Sequence, residues 1–123
     1  MKRDLSLIRK ILLRCEEAPA NQWLEAKHFD LGVANHDLGE HVDLMIDAGL
    51  LDGEMQGTHD DETSFYIRKI TWQGHDFLDA SRDIKIWTKF LEMAKERGLS
   101  LTFDLALAWL KKEVAARAGI QLT

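Results

Sequence analysis

The sequence contains a single cysteine, Cys15, so the chain cannot form an intramolecular disulfide. Small secreted domains commonly depend on several disulfides, because their cores are too small to hold the fold alone. No secretory signal peptide is recognisable in the sequence either. Both absences favour a reducing compartment, and we expect a cytoplasmic protein.

Long apolar runs are absent as well. Each run is only a few residues long, whereas roughly 20 apolar residues are needed to span a membrane. Apolar residues nevertheless make up 46% of the 123 residues, enough for a core that needs neither disulfide nor metal. We therefore expect one soluble domain over residues 1–123, with a winged-helix core at 1–82 and additional helices at 83–123.

The motifs of common enzymes and metal sites are also missing. The sequence has no glycine-rich phosphate loop, no nucleophile elbow and no HExxH or CxxC spacing. Two pairs, His36 with Glu40 and Asp37 with His41, have the spacing that can hold a transition metal from one helical face. With no cysteine beside them, capping and hydrogen bonding explain these pairs better. We expect no catalytic residue, cofactor or metal, and no small-molecule substrate.

The first predicted element is an amphipathic helix over Asp4–Glu17. Asp4 is a suitable N-cap, and Pro19 stops the helix soon after its last residue. A short edge strand is expected between Gln22 and Phe29, where no helical period is visible. The apolar side of the helix is predicted to carry Leu5, Ile8, Leu12 and Cys15.

The centre of the chain predicts a helix, a strand, a polar loop and a second strand. Asn35 is a good N-cap, and Gly49 supplies the left-handed residue that ends many helices. A polar loop at Gly57–Ser64 and a returning strand at Phe65–Trp72 follow. The buried face of the helix is predicted to carry Leu38, Val42, Met45 and Ile46. This order is typical of a recognition helix followed by a β-wing.

Three further helices are predicted towards the carboxyl end. Thr71 caps the first, in which Gly74 allows close approach of another backbone; Asp83 caps the second, and Ser100 or Thr102 the third. The predicted apolar faces of the last two helices are Ile84, Trp87, Leu91 and Ala94, then Leu101, Leu105, Ala108 and Trp109. The sequence thus predicts an α+β fold, a winged helix-turn-helix with additional C-terminal helices.

Four separated segments resemble one family: MKRDLSLIRKIL at 1–12, HVDLMIDAGLLDG at 41–53, ITWQGHDFLDASRDIKIW at 70–87 and GLSLTFD at 98–104. In this order they resemble the domain of unknown function family 2513, which comprises uncharacterised bacterial and prophage-associated proteins. The resemblance implies a winged-helix-like fold and brings no catalytic or ligand-binding residue with it. Because fold does not determine function, it leaves the activity open.

The distribution of charge argues against ordinary DNA recognition. Between His28 and Ile67 there are ten acidic residues and no lysine or arginine, whereas the rest of the chain has 16 basic and 11 acidic residues. The acidic segment contains both the predicted recognition helix and the predicted wing, the parts that normally approach phosphates or base edges. An acidic surface there would be repelled by DNA.

Two functional hypotheses follow, and a third possibility is a solvated acidic surface that binds nothing. In the first, a non-catalytic, regulatory binding module presents an acidic face to a protein partner. That face would comprise Asp37, Glu40, Asp43, Asp47, Asp60, Asp61 and Glu62. In the second, a transcriptional regulator contacts nucleic acid through basic residues of the terminal helices. Those residues are Arg9, Lys10, Arg14, Lys85, Lys89, Lys111 and Lys112.

The tryptophans raise the question of a homodimer. Trp72, Trp87 and Trp109 occupy apolar positions of their elements, so we assign them to the core, whereas Trp23 has no clear assignment. Aromatic residues are also enriched at interfaces. If Leu105 and Trp109 were exposed on the last helix, they would form a patch for a partner to cover. We therefore expect either a protein partner or a homodimer.

Overall fold

The computed structural model describes residues 2–59, 62–98 and 102–119, without the side chains of Thr58, His59 and Glu62. The chain divides into two compact units, Met1–Asp76 and Phe77–Thr123. Within the described ranges, five α-helices and a three-stranded antiparallel sheet confirm the predicted α+β class. The elements are α1 Leu5–Glu17, β1 Leu24–Glu25, a 3-10 turn Ala26–His28, α2 Asn35–Asp47, β2 Leu51–His59, β3 Glu62–Ile70, α3 Trp72–Ser81, α4 Ile84–Glu96 and α5 Phe103–Arg117.

Helix α1 begins and ends close to where its sequence predicts. The Asp4 carboxylate accepts hydrogen bonds from the backbone N–H groups of Ser6 and Leu7, at 2.9 and 3.3 Å, which satisfies two donors that the first turn leaves unpaired. After the helix, the N–H of Gln22 bonds to the carbonyl of Pro19 in a tight turn, with Asn21 at a φ of 78°. The buried residues of α1 are Leu7, Ile8, Ile11, Leu12 and Cys15.

Helix α2 starts at a different residue from the one predicted, but it ends as the sequence predicts. Asn35 is already helical and Ala34 occupies the N-cap position without a side-chain bond, so the prediction that Asn35 caps the helix was wrong by one residue. At the other end, Gly49 has a φ of 78°. The N–H of Leu50 then bonds to the carbonyl of Met45 at 2.8 Å. This glycine-ended cap turns the chain directly into β2.

The strands lie in the order β1-β3-β2, and β1 pairs with only two residues of β3. The β2–β3 hairpin is longer than predicted, because most of the expected loop Gly57–Ser64 belongs to the strands. Cross-strand pairing, such as that of Thr58 with Thr63, extends the ladder through a segment whose polar side chains favour a loop. A bulge at Gly53 brings its backbone close to the carbonyl of Tyr66.

The core of the first unit lies between the helices and one face of the sheet. Helix α2 packs on β2 and β3, and α1 packs on α2 and β3. Leu38, Val42 and Met45 are buried as predicted, together with Phe65 and Ile67 of β3. All five side chains are apolar, and their removal from water is the main favourable contribution to the stability of this unit.

The second unit is helical, and its buried faces differ from the predicted ones. On α4 the buried residues are Ile86, Trp87 and Phe90, whereas Ile84 is 61% exposed. On α5 they are Ala106, Leu110 and Ala115. On α5 apolar residues occur around much of the circumference, whereas on α4 they form one side about half the circumference wide. In both helices more apolar residues fit the helical period than can be buried, so packing selects among them. Leu101 lies outside the described residues.

The three tryptophans assigned to the core also differ in burial. Trp87 is buried, and its ring meets Phe77 edge-on at a centroid distance of 6.2 Å. Trp109 is half-buried beside Phe90. Trp72 is 81% exposed, so its assignment to the core was wrong: it is the first residue of α3 and points away from the packed side. No helix among the described residues has the length and apolar character needed to cross a membrane.

Candidate functional site

The predicted acidic face is present on α2. Glu40, Asp43 and Asp47 project from the side of the helix opposite Leu38, Val42 and Met45, because residues three, four and seven apart share one face. Asp43 and Asp47 are exposed and Glu40 is half-buried. We call Glu40, Asp43 and Asp47 the α2 acidic stripe.

Few positively charged groups lie near the carboxylates of the stripe. His36 Nε2 lies 3.7 Å from the Glu40 carboxylate, across one helical turn. No lysine or arginine lies within ion-pair distance of Glu40, Asp43 or Asp47 in the part of the chain that the structure describes. Asp47 also ends α2, where the negative end of the helix dipole disfavours a carboxylate. The fold therefore does not need these carboxylates.

Of the seven predicted residues, the structure describes the side chains of four. Asp37 is exposed on the first turn of α2, next to the stripe rather than in it. Asp60 and Asp61 lie outside the described residues, as does the side chain of Glu62. The candidate site thus consists of the α2 acidic stripe, with Asp37 at its margin.

His41 has a structural role instead of a metal-binding one. Its ring is buried, and Nδ1 lies 2.8 Å from the carbonyl oxygen of Asp37 while Nε2 lies 3.0 Å from the backbone nitrogen of Asp4. A carbonyl can only accept, so Nδ1 carries the proton and Nε2 accepts from the Asp4 N–H. Both ring nitrogens are thereby used, joining the start of α1 to α2. No group of three metal-ligating side chains occurs among the residues described.

We expect His41→Ala to lower the free energy of unfolding by about 2–4 kcal/mol. The substitution leaves the Asp4 N–H without its partner and opens a cavity in the core. Urea unfolding followed by circular dichroism measures the loss, and His36→Ala, which removes an exposed histidine of the same helix, is the matched control. A loss below about 1 kcal/mol for His41→Ala would show that these two hydrogen bonds do not hold the helices together.

Several of the seven basic residues of the nucleic-acid hypothesis have interactions within their own unit of the fold. Arg14 Nε donates to the carbonyl of His28 at 3.0 Å, and Arg9 also has an interaction within the fold. Lys89 lies 3.3 Å from the carboxylate of Glu113 and over the ring of Trp109. Exposed residues of the set are Lys10 on α1, Lys85 on α4, and Lys111 and Lys112 on α5.

A groove of about 660 Å³ lies elsewhere in the first unit. It opens between the end of α1, the turn before β1 and the last residues of β3. At its rim Trp23 is 54% exposed and stacks on Tyr66 with a centroid distance of 5.1 Å and an angle of 8°. Sequence reasoning did not anticipate this groove, because its walls combine residues between 15 and 24 with Asp52, residues 67–70 and His75, which lie far from them in the chain.

Arg68 is fixed in the wall of this groove. Its Nε and Nη2 donate to Asp52 at 3.1 and 2.9 Å, and its guanidinium lies over the rings of Trp23 and Tyr66. The hydrogen bond to Asp52 raises the pKa of Arg68, and the hydrogen bond to Glu54 raises the pKa of Tyr66. The alternation of polar Tyr66 and Arg68 with buried Ile67 is the sequence signal for this outer face.

Comparisons with known proteins agree with the family resemblance of the sequence. Residues 2–100 match the family described as "Hypothetical protein (DUF2513)". A protein of Haemophilus influenzae (strain Rd), described as uncharacterised, is 33% identical over 105 residues, which cover 85% of this chain and 87% of that protein. No solved structure matches the chain. On the match that covers most of its length, the chain belongs to the DUF2513 family.

Proposed function

We propose that this protein is a non-catalytic, regulatory binding module that uses the α2 acidic stripe to bind a protein partner with a basic surface. The observation that carries the proposal is the absence of a lysine or arginine partner for the exposed Asp43 and Asp47 among the described residues. Exposed, unpaired carboxylates on a rigid helix speed encounter with a cationic surface and help to select it.

The proposed fold of the first unit is a winged helix. Its support is the element order α1, β1, 3-10 turn, α2, β2, β3, together with the sheet order β1-β3-β2. In such a fold α2 occupies the recognition-helix position and the β2–β3 hairpin is the wing. Here the helix that normally precedes the recognition helix is reduced to the turn Ala26–His28.

A protein partner fits this recognition position better than DNA does. Guanine and phosphate are normally bound by arginine or lysine, whereas a carboxylate can only accept hydrogen bonds and typically pairs with the cytosine amino group. The outward face of α2 carries Glu40, Asp43 and Asp47 where those cations would be needed. Approach of the phosphate backbone to this face would therefore be electrostatically unfavourable.

Charge reversal with a positionally matched control tests the proposal. Asp43→Lys/Asp47→Lys changes two exposed residues in the last two turns of α2, and Glu92→Lys/Glu96→Lys changes two in the same places of α4. Partners captured on the wild-type chain are purified and titrated by calorimetry. We expect the α2 variant to bind at least about a hundredfold more weakly, and the α4 variant to bind as the wild type does.

Both variants should fold, since lysine near a helix C-terminus interacts favourably with the dipole. Equal binding by the wild type and the α2 variant would contradict the proposal, as would equal weakening by both variants. Light scattering on the purified chain shows whether a second copy is the partner. Leu105, which is 57% exposed on α5, is the first residue to substitute in that case.

Binding to random duplex DNA tests the alternative, nucleic-acid hypothesis. We expect fluorescence anisotropy to show no binding at physiological salt, and at most weak binding at low salt. If strong salt-sensitive binding were found, and Lys10→Ala or Lys85→Ala reduced it, the nucleic-acid hypothesis would replace the proposal of a protein partner.

A further inference from the structure

The groove beside Trp23 has the size and the lining of a small-ligand site. A volume of about 660 Å³ lies within the range of pockets that bind cofactor-sized molecules. Its walls combine apolar side chains, such as Pro19 and Ile70, with the cations Arg68 and Lys69 and the imidazole of His75. All of these residues belong to the first unit.

Trp23 supplies a planar surface at the rim. One face of its indole lies against Tyr66, and more than half of the residue stays in contact with water. The interaction with Tyr66 and Arg68 fixes the ring, so little conformational freedom would be lost when a second ring stacks on it. A planar ring would therefore gain apolar contact here at low entropic cost.

The unpaired groups in the groove wall indicate the charge of the ligand. Both carboxylates of the wall are already engaged: Asp52 accepts from Arg68, and Glu16 has an interaction of its own. Lys69 and His75 are exposed, and neither side chain has a hydrogen bond or ion pair within the described part of the chain. Among the charged and imidazole side chains of the wall, those free to bind a ligand are thus Lys69 and His75, which favour a phosphate or a carboxylate.

We propose that this groove binds a small ligand that combines a planar ring with an anionic group. The ring stacks on Trp23, and the anion contacts Lys69 and His75, with Arg68 held in place by Asp52. The site is separate from the α2 acidic stripe and does not depend on the function proposed for it.

Amide NMR titration of the full chain with AMP and with indoleacetate tests this inference. Adenosine provides the ring without the anion, and inorganic phosphate the anion without the ring. We expect both complete probes to shift the amides of residues 20–24 and 67–70, and both partial probes to bind at least about tenfold more weakly. Failure of both complete probes to shift these amides at millimolar concentration would overturn the proposal.

Substitutions inside and outside the groove distinguish a specific site from nonspecific binding. Trp23→Ala and Lys69→Ala should each weaken binding about tenfold or more, since a stacked ring and a charge-assisted hydrogen bond have effects of that order. Trp72→Ala and Lys27→Ala are the matched controls, because both residues are exposed and lie outside the groove. Trp23→Phe, which keeps an aromatic ring against Tyr66, should bind more tightly than Trp23→Ala. Equal affinity of Trp23→Ala and the wild type would rule the site out.

Discussion

Replacing Gly74 with alanine is expected to lower the free energy of unfolding by about 3 kcal/mol. Gly74 lies in the first turn of α3, where it meets the connection between α2 and β2. A Cβ placed on Gly74 would be 2.2 Å from the carbonyl oxygen of Leu50 and 2.6 Å from Cγ2 of Ile70. A backbone oxygen cannot rotate away as a side chain can, so one segment would have to move.

The movement would disturb a small hydrogen-bonded junction. The Thr71 hydroxyl lies 2.5 Å from the carbonyl of Gly49 and 3.1 Å from the N–H of Gly74, and the Thr71 N–H donates to the carbonyl of Leu50. Alanine favours a helix over glycine by only about 1 kcal/mol. Because the clash and the loss of these bonds exceed that gain, the net effect is destabilising.

Thermal and urea unfolding measure the effect, with Gln73→Ala as the control at the neighbouring exposed position. Gly39→Ala is an informative comparison. Its added Cβ would lie 2.2 Å from Cγ2 of Thr63, a side chain. Thr63→Gly should therefore relieve the strain of Gly39→Ala, whereas no single side-chain truncation should rescue Gly74→Ala. An unfolding free energy for Gly74→Ala within about 0.5 kcal/mol of the wild type would mean that this close approach is not a constraint.

Cys15 is expected to react with a disulfide reagent at pH 8 about a thousandfold more slowly in the folded chain than in urea. Burial raises the pKa of its thiol from 9.0 to about 12, and the charge of Arg14 opposes that rise only in part. Since the thiolate is the nucleophile, a rise of this size lowers its population about a thousandfold. A folded-state rate within tenfold of the urea rate would contradict the burial of the thiol.

The same pKa rise makes stability depend on pH in the alkaline range. Below pH 9.0 the thiol is protonated in both states, so its contribution is complete. Between pH 9.0 and about 12 the unfolded chain loses the proton while the folded chain keeps it, which favours unfolding. We expect the wild type to lose up to about 4 kcal/mol more than Cys15→Ala over this range. Parallel curves for the two proteins would exclude this linkage.

Local chemistry made several boundaries predictable from sequence. Asp4 and Asp83 each place a carboxylate within reach of two unpaired N–H groups of the following helix, and the structure shows both caps. Gly49 ends α2 because a left-handed residue is needed there and only glycine adopts it freely. Asn35 shows the limit of this reasoning, since the chain enters α2 one residue earlier and leaves the asparagine inside the helix.

The α2 acidic stripe was also accessible from sequence. Helical period places Glu40, Asp43 and Asp47 opposite the apolar residues, and the absence of lysine and arginine nearby in the chain is visible without coordinates. The buried role of His41 was not accessible. Its partner, the N–H of Asp4, lies 37 residues away, and no local pattern signals such a bond.

By itself the sequence determined the order of helices and strands, most of the helix caps and the acidity of α2, because these depend on residues close together in the chain. Tertiary structure alone decided which faces of α4 and α5 are buried, that Trp72 is exposed, and how Trp23, Arg68 and His75 meet at one groove. The physical reason is packing. Where a helix is apolar on several sides, burial against its neighbours selects the face, and a groove formed by distant segments exists only after those segments have packed.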